Sequence, residues 1–250
     1  MADEQNGSQD RPRRVLFSMA HPDDIEFGCG GTAARWADEG QEVFFLLATS
    51  GDKGSEDPEY DSAKLMETRE AEQRAAAAVL GVKDVMFLRF KDAELLPDLN
   101  LRREVTRAIR HFKPDAVVCQ DPAARYFGSY IQHPDHIAMG EATLAAIYPS
   151  ARDRLTFPEL LAEGYEPHKV TEIYVGASGD RVDHFVETTD YLEKKAAALR
   201  EHKSQLGEWD PLEAITRRAR DTAAVARHLH YPGANDMLHA ESFRYIKMGR

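Results

Sequence analysis

Short runs of consecutive apolar residues alternate along this chain with longer segments in which apolar positions recur every three or four residues. Runs of the first kind, interrupted only by Ser18 and Arg89, occupy residues 15–19, 43–48, 85–90 and 116–119. Segments of the second kind fill 26–39, closed by Gly40, 62–80, closed by Gly81, 101–112, and 136–148, closed by Pro149. A strand that is apolar at every position is buried on both faces, and strands alternating with helices form parallel sheets covered on both sides. The predicted fold is therefore α/β: a Rossmann-like, mostly parallel sheet flanked by helices on both faces, with C-terminal additions. Those additions read as a lid or connection over 157–168, a strand at 172–175, helices at 191–205 and 215–229, and a last short strand at 241–246. Residues 121–132 form a loop at the carboxyl end of a central strand, where open α/β sheets place their ligands, and it offers Arg125, Tyr126 and Tyr130 as substrate contacts. Residues 1–14 are polar and aperiodic, which predicts a disordered tail ahead of a single domain over 15–250.

Composition narrows this picture. A chain of 250 residues can bury a full core. The formal net charge of −11 argues against nucleic acid or an anionic membrane as main partner. No apolar run approaches the roughly 20 residues that span a bilayer, and the N-terminus lacks a signal-peptide pattern, so the expected location is cytoplasmic. The two cysteines, Cys29 and Cys119, lack CxxC spacing and read as buried thiols. Gly28, Gly30 and Gly31 do not have GxGxxG spacing and read as sites of close packing. His184, His202, His228, His230 and His239 lack ligand spacing to a second candidate and read as surface or core histidines.

Two polar clusters interrupt the apolar background. Ala20-His21-Pro22-Asp23-Asp24-Ile25-Glu26 stands where the first strand hands over to its helix, and His133-Pro134-Asp135-His136 opens a later helix. His21 and Asp24 are three apart, so a tight turn brings both to one side while Asp23 points elsewhere. Pro134 suits the first helical position and biases His133 away from helical angles, so His133 and His136 need not share a role. Two imidazoles and a carboxylate are a recurrent donor set for a catalytic zinc with an open position, and His21, Asp24 and His136 supply it. The same set describes the facial triad of non-haem iron enzymes, which leaves the metal open between Zn2+ and another divalent ion such as Fe2+. No oxidant-binding feature is visible, which points towards hydrolysis. Asp23, beside a ligand but not needed as one, is suited to take a proton from an attacking water. His133 is suited to polarise a substrate oxygen or protonate a leaving amine, with Asp135 accepting its other ring N–H. Either cluster alone is more simply a turn or a helix cap. Both together, each at a strand-to-helix junction, favour a metal site.

At these residues the chain resembles the LmbE/PIG-L superfamily of zinc-dependent N-acetylglucosaminyl deacetylases, whose AHPDDxE and HPDH signatures stand here at 20–26 and 133–136. The similarity runs from about residue 15 to the segment 194–205. The resemblance implies His21, Asp24 and His136 as zinc ligands and Asp23 as general base. It implies His133, oriented by Asp135, as oxyanion stabiliser or acid, and Arg69 as a contact to sugar hydroxyls. Some members carry a tyrosine two residues before the first histidine of HPDH; here that position is Ile131, which leaves Tyr130 or Tyr126 as substitutes. The implied function is removal of the N-acetyl group from an N-acetylglucosamine-containing small molecule or glycoconjugate by metal-activated water. The alternatives are an amidase acting on a larger acyl group or a thiol–sugar conjugate, and a Rossmann-like sugar- or nucleotide-binding protein with a structural metal. The expected partner is a small amino-sugar substrate, and the resemblance makes a homo-oligomer plausible.

Overall fold

The computed structural model describes residues 11–127, 129–177 and 181–249, so residues 1–10 of the expected disordered tail lie outside the described residues. The described end of that segment is tied to the sheet: the Arg11 guanidinium donates to both carboxylate oxygens of Asp115 at 2.7 and 2.9 Å, and Arg14 already opens β1.

Five parallel strands build the centre: β1 (Arg14–Met19), β2 (Glu42–Thr49), β3 (Asp84–Phe90), β4 (Ala116–Cys119) and β7 (Glu172–Gly176). Between β4 and β7 comes a small antiparallel hairpin, β5 (Tyr126–Phe127) and β6 (Tyr130–Ile131). Two antiparallel strands, β8 (His184–Glu187) and β9 (Ala240–Lys247), extend the edge, giving the order β3-β2-β1-β4-β7-β9-β8. The helices are α1 (Asp24–Asp38), α2 (Ser62–Leu80), α3 (Leu99–Phe112), α4 (Pro134–Ala145), α5 (Pro158–Ala162), α6 (Leu192–Leu199), α7 (Lys203–Leu206) and α8 (Leu212–His228).

Alternate residues of β1 explain why it is apolar on both faces, with only the buried Ser18, hydrogen-bonded to Thr143 at 2.8 Å, interrupting the run. Leu16 packs into the layer made with α3 and α4, while Val15, Phe17 and Met19 pack into the layer made with α1, α2 and α6. Local chemistry sets the helix ends. Asp61 and Asp98 accept the backbone N–H of Lys64 and Leu101 at 2.8 and 2.9 Å, and Gly81 closes α2 in the left-handed region at φ 85°. Among the described residues, no helix is long and apolar enough to cross a membrane.

The chain lays down β1, β2 and β3 in one direction and then returns to place β4 on the other side of β1. That reversal between β1 and β4 is a topological switch point, and the crevice beyond the carboxyl ends of the two strands is where such sheets bind ligands. His21 follows β1 and Gln120 follows β4, so both polar loops open on the same crevice.

Several expected elements change in detail. The single helix expected over 191–205 is broken: α6 stops at Leu199, His202 adopts φ −81° and ψ 59°, and α7 restarts at Lys203. The break turns His202 fully into the interior beside Glu26. The strand β8 was not expected, because four residues of His-Phe-Val-Glu carry too little periodicity to register. α1 and α4 each begin two residues earlier than the apolar spacing indicated, since their first turns are polar. The 157–168 segment is a connection containing α5; the buried Arg110 guanidinium holds the turn leading into it by donating to the carbonyls of Ser150, Ala151, Asp153 and Thr156, and reaches the segment itself at the Tyr165 carbonyl.

Both cysteines are free and buried. Gly31 is a close-packing site: a Cβ there would meet Thr188 at 2.9 Å. It lies just past a kink of α1 at Cys29, where the Glu241 carboxylate accepts the N–H groups of Gly31 and Thr32 at 3.0 and 2.7 Å and pairs with Lys195 at 2.6 Å. The kink gives α1 a second N-terminus, and a buried anion satisfies its free donors.

Candidate metal centre

Three side chains from two helix starts converge at the switch point. His21 Nδ1 lies 3.2 Å from His136 Nε2 and 3.4 Å from Asp24 Oδ2, and His136 Nε2 lies 3.1 Å from Asp24 Oδ1. Donors bound tetrahedrally at about 2.0–2.1 Å from one ion sit ~3.3 Å apart, so this spacing fits a zinc-sized cation. A nitrogen of His133 is also within 4.8 Å of ring nitrogens of His21 and His136.

The surroundings hold these donors in place. The Asp24 carboxylate accepts the His21 backbone N–H at 2.8 Å and the Gln120 side-chain N–H at 3.0 Å, while Gln120 accepts the Ala20 N–H at 3.0 Å. On its far side, His21 Nε2 faces Asp92 Oδ1 at 3.1 Å and Asp135 Oδ2 at 3.2 Å. Carboxylates in that position fix the ring and raise its basicity towards a metal. Burial works against a charged His21, but hydrogen bonds to Asp135, Asp24 and Asp92 outweigh it and push the imidazole up to about 12. Burial alone would raise the Asp24 carboxyl; the charge of His136 and its hydrogen bonds hold it far below the usual range. Three carboxylates around one imidazole call for a cation, and the donor chemistry agrees with the spacing.

The second cluster is divided as its proline implies. His133 is extended at φ −59° and ψ 133°, and Pro134 opens α4. The expected Asp135–His133 side-chain contact takes another form. Asp135 is fully buried, and its carboxylate accepts the backbone N–H groups of Ala93 and Leu95 at 2.7 and 3.2 Å besides facing His21. It is the Asp135 backbone N–H that donates to His133 Nδ1, at 3.2 Å. A neutral His133 accepting at Nδ1 carries its own proton on Nε2. Burial, followed by the charge of His21, keeps its pKa below the ordinary value and favours that neutral form.

Asp23 is separated from its neighbour Asp24 by its backbone, which lies in the left-handed region at φ 81°. Its carboxylate accepts from Arg69 Nη2 at 3.2 Å. Burial raises the Asp23 carboxyl, the charge of Arg69 opposes this, and the net result is about 7. Arg69 is itself buried, donating also to the carbonyls of Pro22 at 2.9 Å and Gly51 at 3.2 Å. Its guanidinium frames the Asp23 turn. Gly51 is required there, since a Cβ would fall 2.1 Å from Arg69 Nη1 and φ is 67°.

A cavity of about 710 Å3 opens against Asp24 and His136 and is lined by Tyr130 and Gln132 on the hairpin side and by Phe27, Lys195 and Glu241 opposite. Phe27 stacks on Trp209 with ring centroids 6.4 Å apart. Arg125 and Tyr126 are exposed beside this mouth and do not line the cavity. Sequence reasoning missed Asp92, Gln120 and Gln73. Asp92 and Gln120 follow the carboxyl ends of β3 and β4, and that position was the available signal.

A Rossmann-like sheet carrying a histidine–aspartate donor cluster at its switch point defines a class of site, and comparison with known proteins places the chain within it. Residues 16–147 match the family described as PIG-L, GlcNAc-PI de-N-acetylase, and the chain belongs to that family. It is 32% identical over 236 residues, 94% of this chain and 83% of the relative, to a diacetylchitobiose deacetylase of Thermococcus kodakarensis. It is 31% identical over 196 residues, 66% of this chain and 52% of the relative, to a 1D-myo-inositol 2-acetamido-2-deoxy-alpha-D-glucopyranoside deacetylase of Kineococcus radiotolerans. Among solved structures, the N,N'-diacetylchitobiose deacetylase of Pyrococcus horikoshii superposes with a TM-score of 0.80 at 28% identity, covering 98% of this chain and 87% of that one.

Proposed function

We propose that this protein is a metal-dependent N-deacetylase that hydrolyses the acetamide of an N-acetylglucosamine-containing small molecule to acetate and a free amine. The observation that carries the reading is the convergence of His21 Nδ1, His136 Nε2 and Asp24 at 3.1–3.4 Å, with the separate carboxylate of Asp23 on the adjacent residue. Membership of a family whose relatives are named as deacetylases of acetylated amino sugars supports it.

His21, Asp24 and His136 would hold the ion. When bound, a zinc or similar divalent cation supplies Lewis acidity, polarising the amide carbonyl and lowering the pKa of water. The chain's own residues do the rest. Asp23, whose carboxyl burial raises to about 7 against the opposing charge of Arg69, is suited to accept a proton as water adds to the carbonyl carbon. Arg69 keeps it oriented. His133, with its proton on Nε2, donates a hydrogen bond to the developing oxyanion, and the proton that Asp23 took from water passes to the amine nitrogen as the C–N bond breaks. Asp92, Asp135 and Gln120 keep the donors aligned. Tyr130 meets substrate from the cavity wall, with Arg125 and Tyr126 contributing from the rim.

The test is acetate release from a panel that includes N-acetylglucosamine, N,N'-diacetylchitobiose and an N-acetylglucosaminyl inositol, with zinc added and after chelation. Metal-dependent release from at least one compound is expected. No release from any of them by protein holding one metal per chain would overturn the reading.

A further inference from the structure

Two adjacent aspartates do different work in this site, and the backbone between them makes that division. Asp24 sends its oxygens to His21, His136 and Gln120, whereas Asp23 sends its carboxylate to Arg69. The separation depends on the left-handed Asp23, φ 81° and ψ −23°, a conformation that persists only where the surroundings over-determine it.

Helix α2 grips this turn from one face. Arg69 Nη2 donates to the Pro22 carbonyl at 2.9 Å, and Gln73 Oε1, one helical turn on, accepts the Asp23 N–H at 2.9 Å. A carboxamide has a donor end and an acceptor end, and the partner of one end decides which meets Asp23. Gln73 Nε2 donates to Glu26 Oε1 at 2.7 Å. A carboxylate only accepts, so Glu26 takes the NH2 end and turns the carbonyl end to Asp23. Glu26, Gln73 and His202 are all 0% exposed, so bulk water cannot replace any of them. Glu26 Oε2 has no hydrogen-bond partner, and the basic group that faces it is His202 Nε2 at 3.6 Å, brought there by the break between α6 and α7.

We propose that Gln73 and Glu26, backed by His202, are positioning residues for the reaction: they hold the Asp23 peptide in the turn that keeps its carboxylate apart from the metal donors. This rests on Asp23 as the general base.

The experiment compares Gln73→Met, Glu26→Gln, Asp23→Asn and the Gln73→Met/Asp23→Asn double variant by kcat, KM and metal per chain. Gln73→Met should lower kcat ~100-fold, as misplacement of a catalytic group by about 1 Å can, with KM within about twofold and one metal retained. Glu26→Gln, nearly isosteric and still able to accept, should lower kcat about fivefold, and it carries the test if Gln73→Met does not fold. In the Asp23→Asn background Gln73→Met should add less than about a twofold loss, because the base it positions is already gone. Hydrogen exchange of the Asp23 amide in metal-free protein supplies a readout independent of turnover and should quicken ~10-fold in Gln73→Met. Equal losses from Gln73→Met with and without Asp23, or kcat and Asp23 exchange unchanged in both Gln73→Met and Glu26→Gln, would overturn the proposal. If Asp23→Asn itself costs nothing, the base assignment fails instead.

Discussion

The turn after β1 and the hairpin after β4 leave neighbouring strands and face one crevice, yet they are built in opposite ways. The first is over-determined: Arg69 and Gln73 hold the Asp23 peptide, and Gln120 and the His21 N–H hold Asp24. The second projects outward, with Tyr126 78% and Ile131 82% exposed, and a backbone bond from Gln132 N–H to the Arg125 carbonyl near its base. Groups that handle protons and metal need fixed geometry. Groups that meet a substrate's outer parts need reach. The difference teaches that chemistry and substrate choice are separable here, so substitutions in one region should leave the other's measurements unmoved.

The largest break in that comparison should come from behind the rigid turn. Asp92→Asn weakens the carboxylate backing of His21 and should reduce metal affinity about 10–100-fold, measured by chelator competition, with the hairpin unaffected. A smaller effect sharpens it through pH. The folded-state pKa of Asp23 is raised from 3.8 to about 7, so ionising it costs the metal-free fold stability as pH rises between those values, and the cost is complete above 7. Asp23→Asn should therefore melt at a higher temperature than wild type at pH 8, without metal, and lose that advantage as pH falls to 4. A pH-independent difference would contradict the burial argument. The smallest effect should come from the hairpin. Tyr126→Ala should raise KM about 2–10-fold if its ring meets sugar, with kcat, metal content and melting temperature within error.

Much of this was legible in the residues. The helix Ser62–Leu80 and the strand Ala116–Cys119 match expectation to the residue, because an Asp cap with a glycine stop and a Lys-Pro-Asp entry mark their ends. The two clusters were legible as one site because proline and aspartate at strand-to-helix junctions are local signals. What stayed hidden depends on distant contacts. The break after Leu199 turns the buried His202 towards Glu26, 176 positions away, and no local propensity announces it. Gln73, in the middle of an alanine-rich helix, looks like any solvated glutamine until the Asp23 N–H is found against it. Arg69 has the appearance of a sugar-binding cation, and its burial against Pro22, Asp23 and Gly51 becomes visible only in three dimensions.

The most direct measurement is acetate release from N,N'-diacetylchitobiose by wild type and Asp23→Asn, with metal per chain determined on the same samples. The account predicts one metal in both proteins and release at least ~100-fold slower in the variant. Equal release at equal metal content would contradict it, because the carboxylate that the turn after β1 sets apart would then have no part in the reaction.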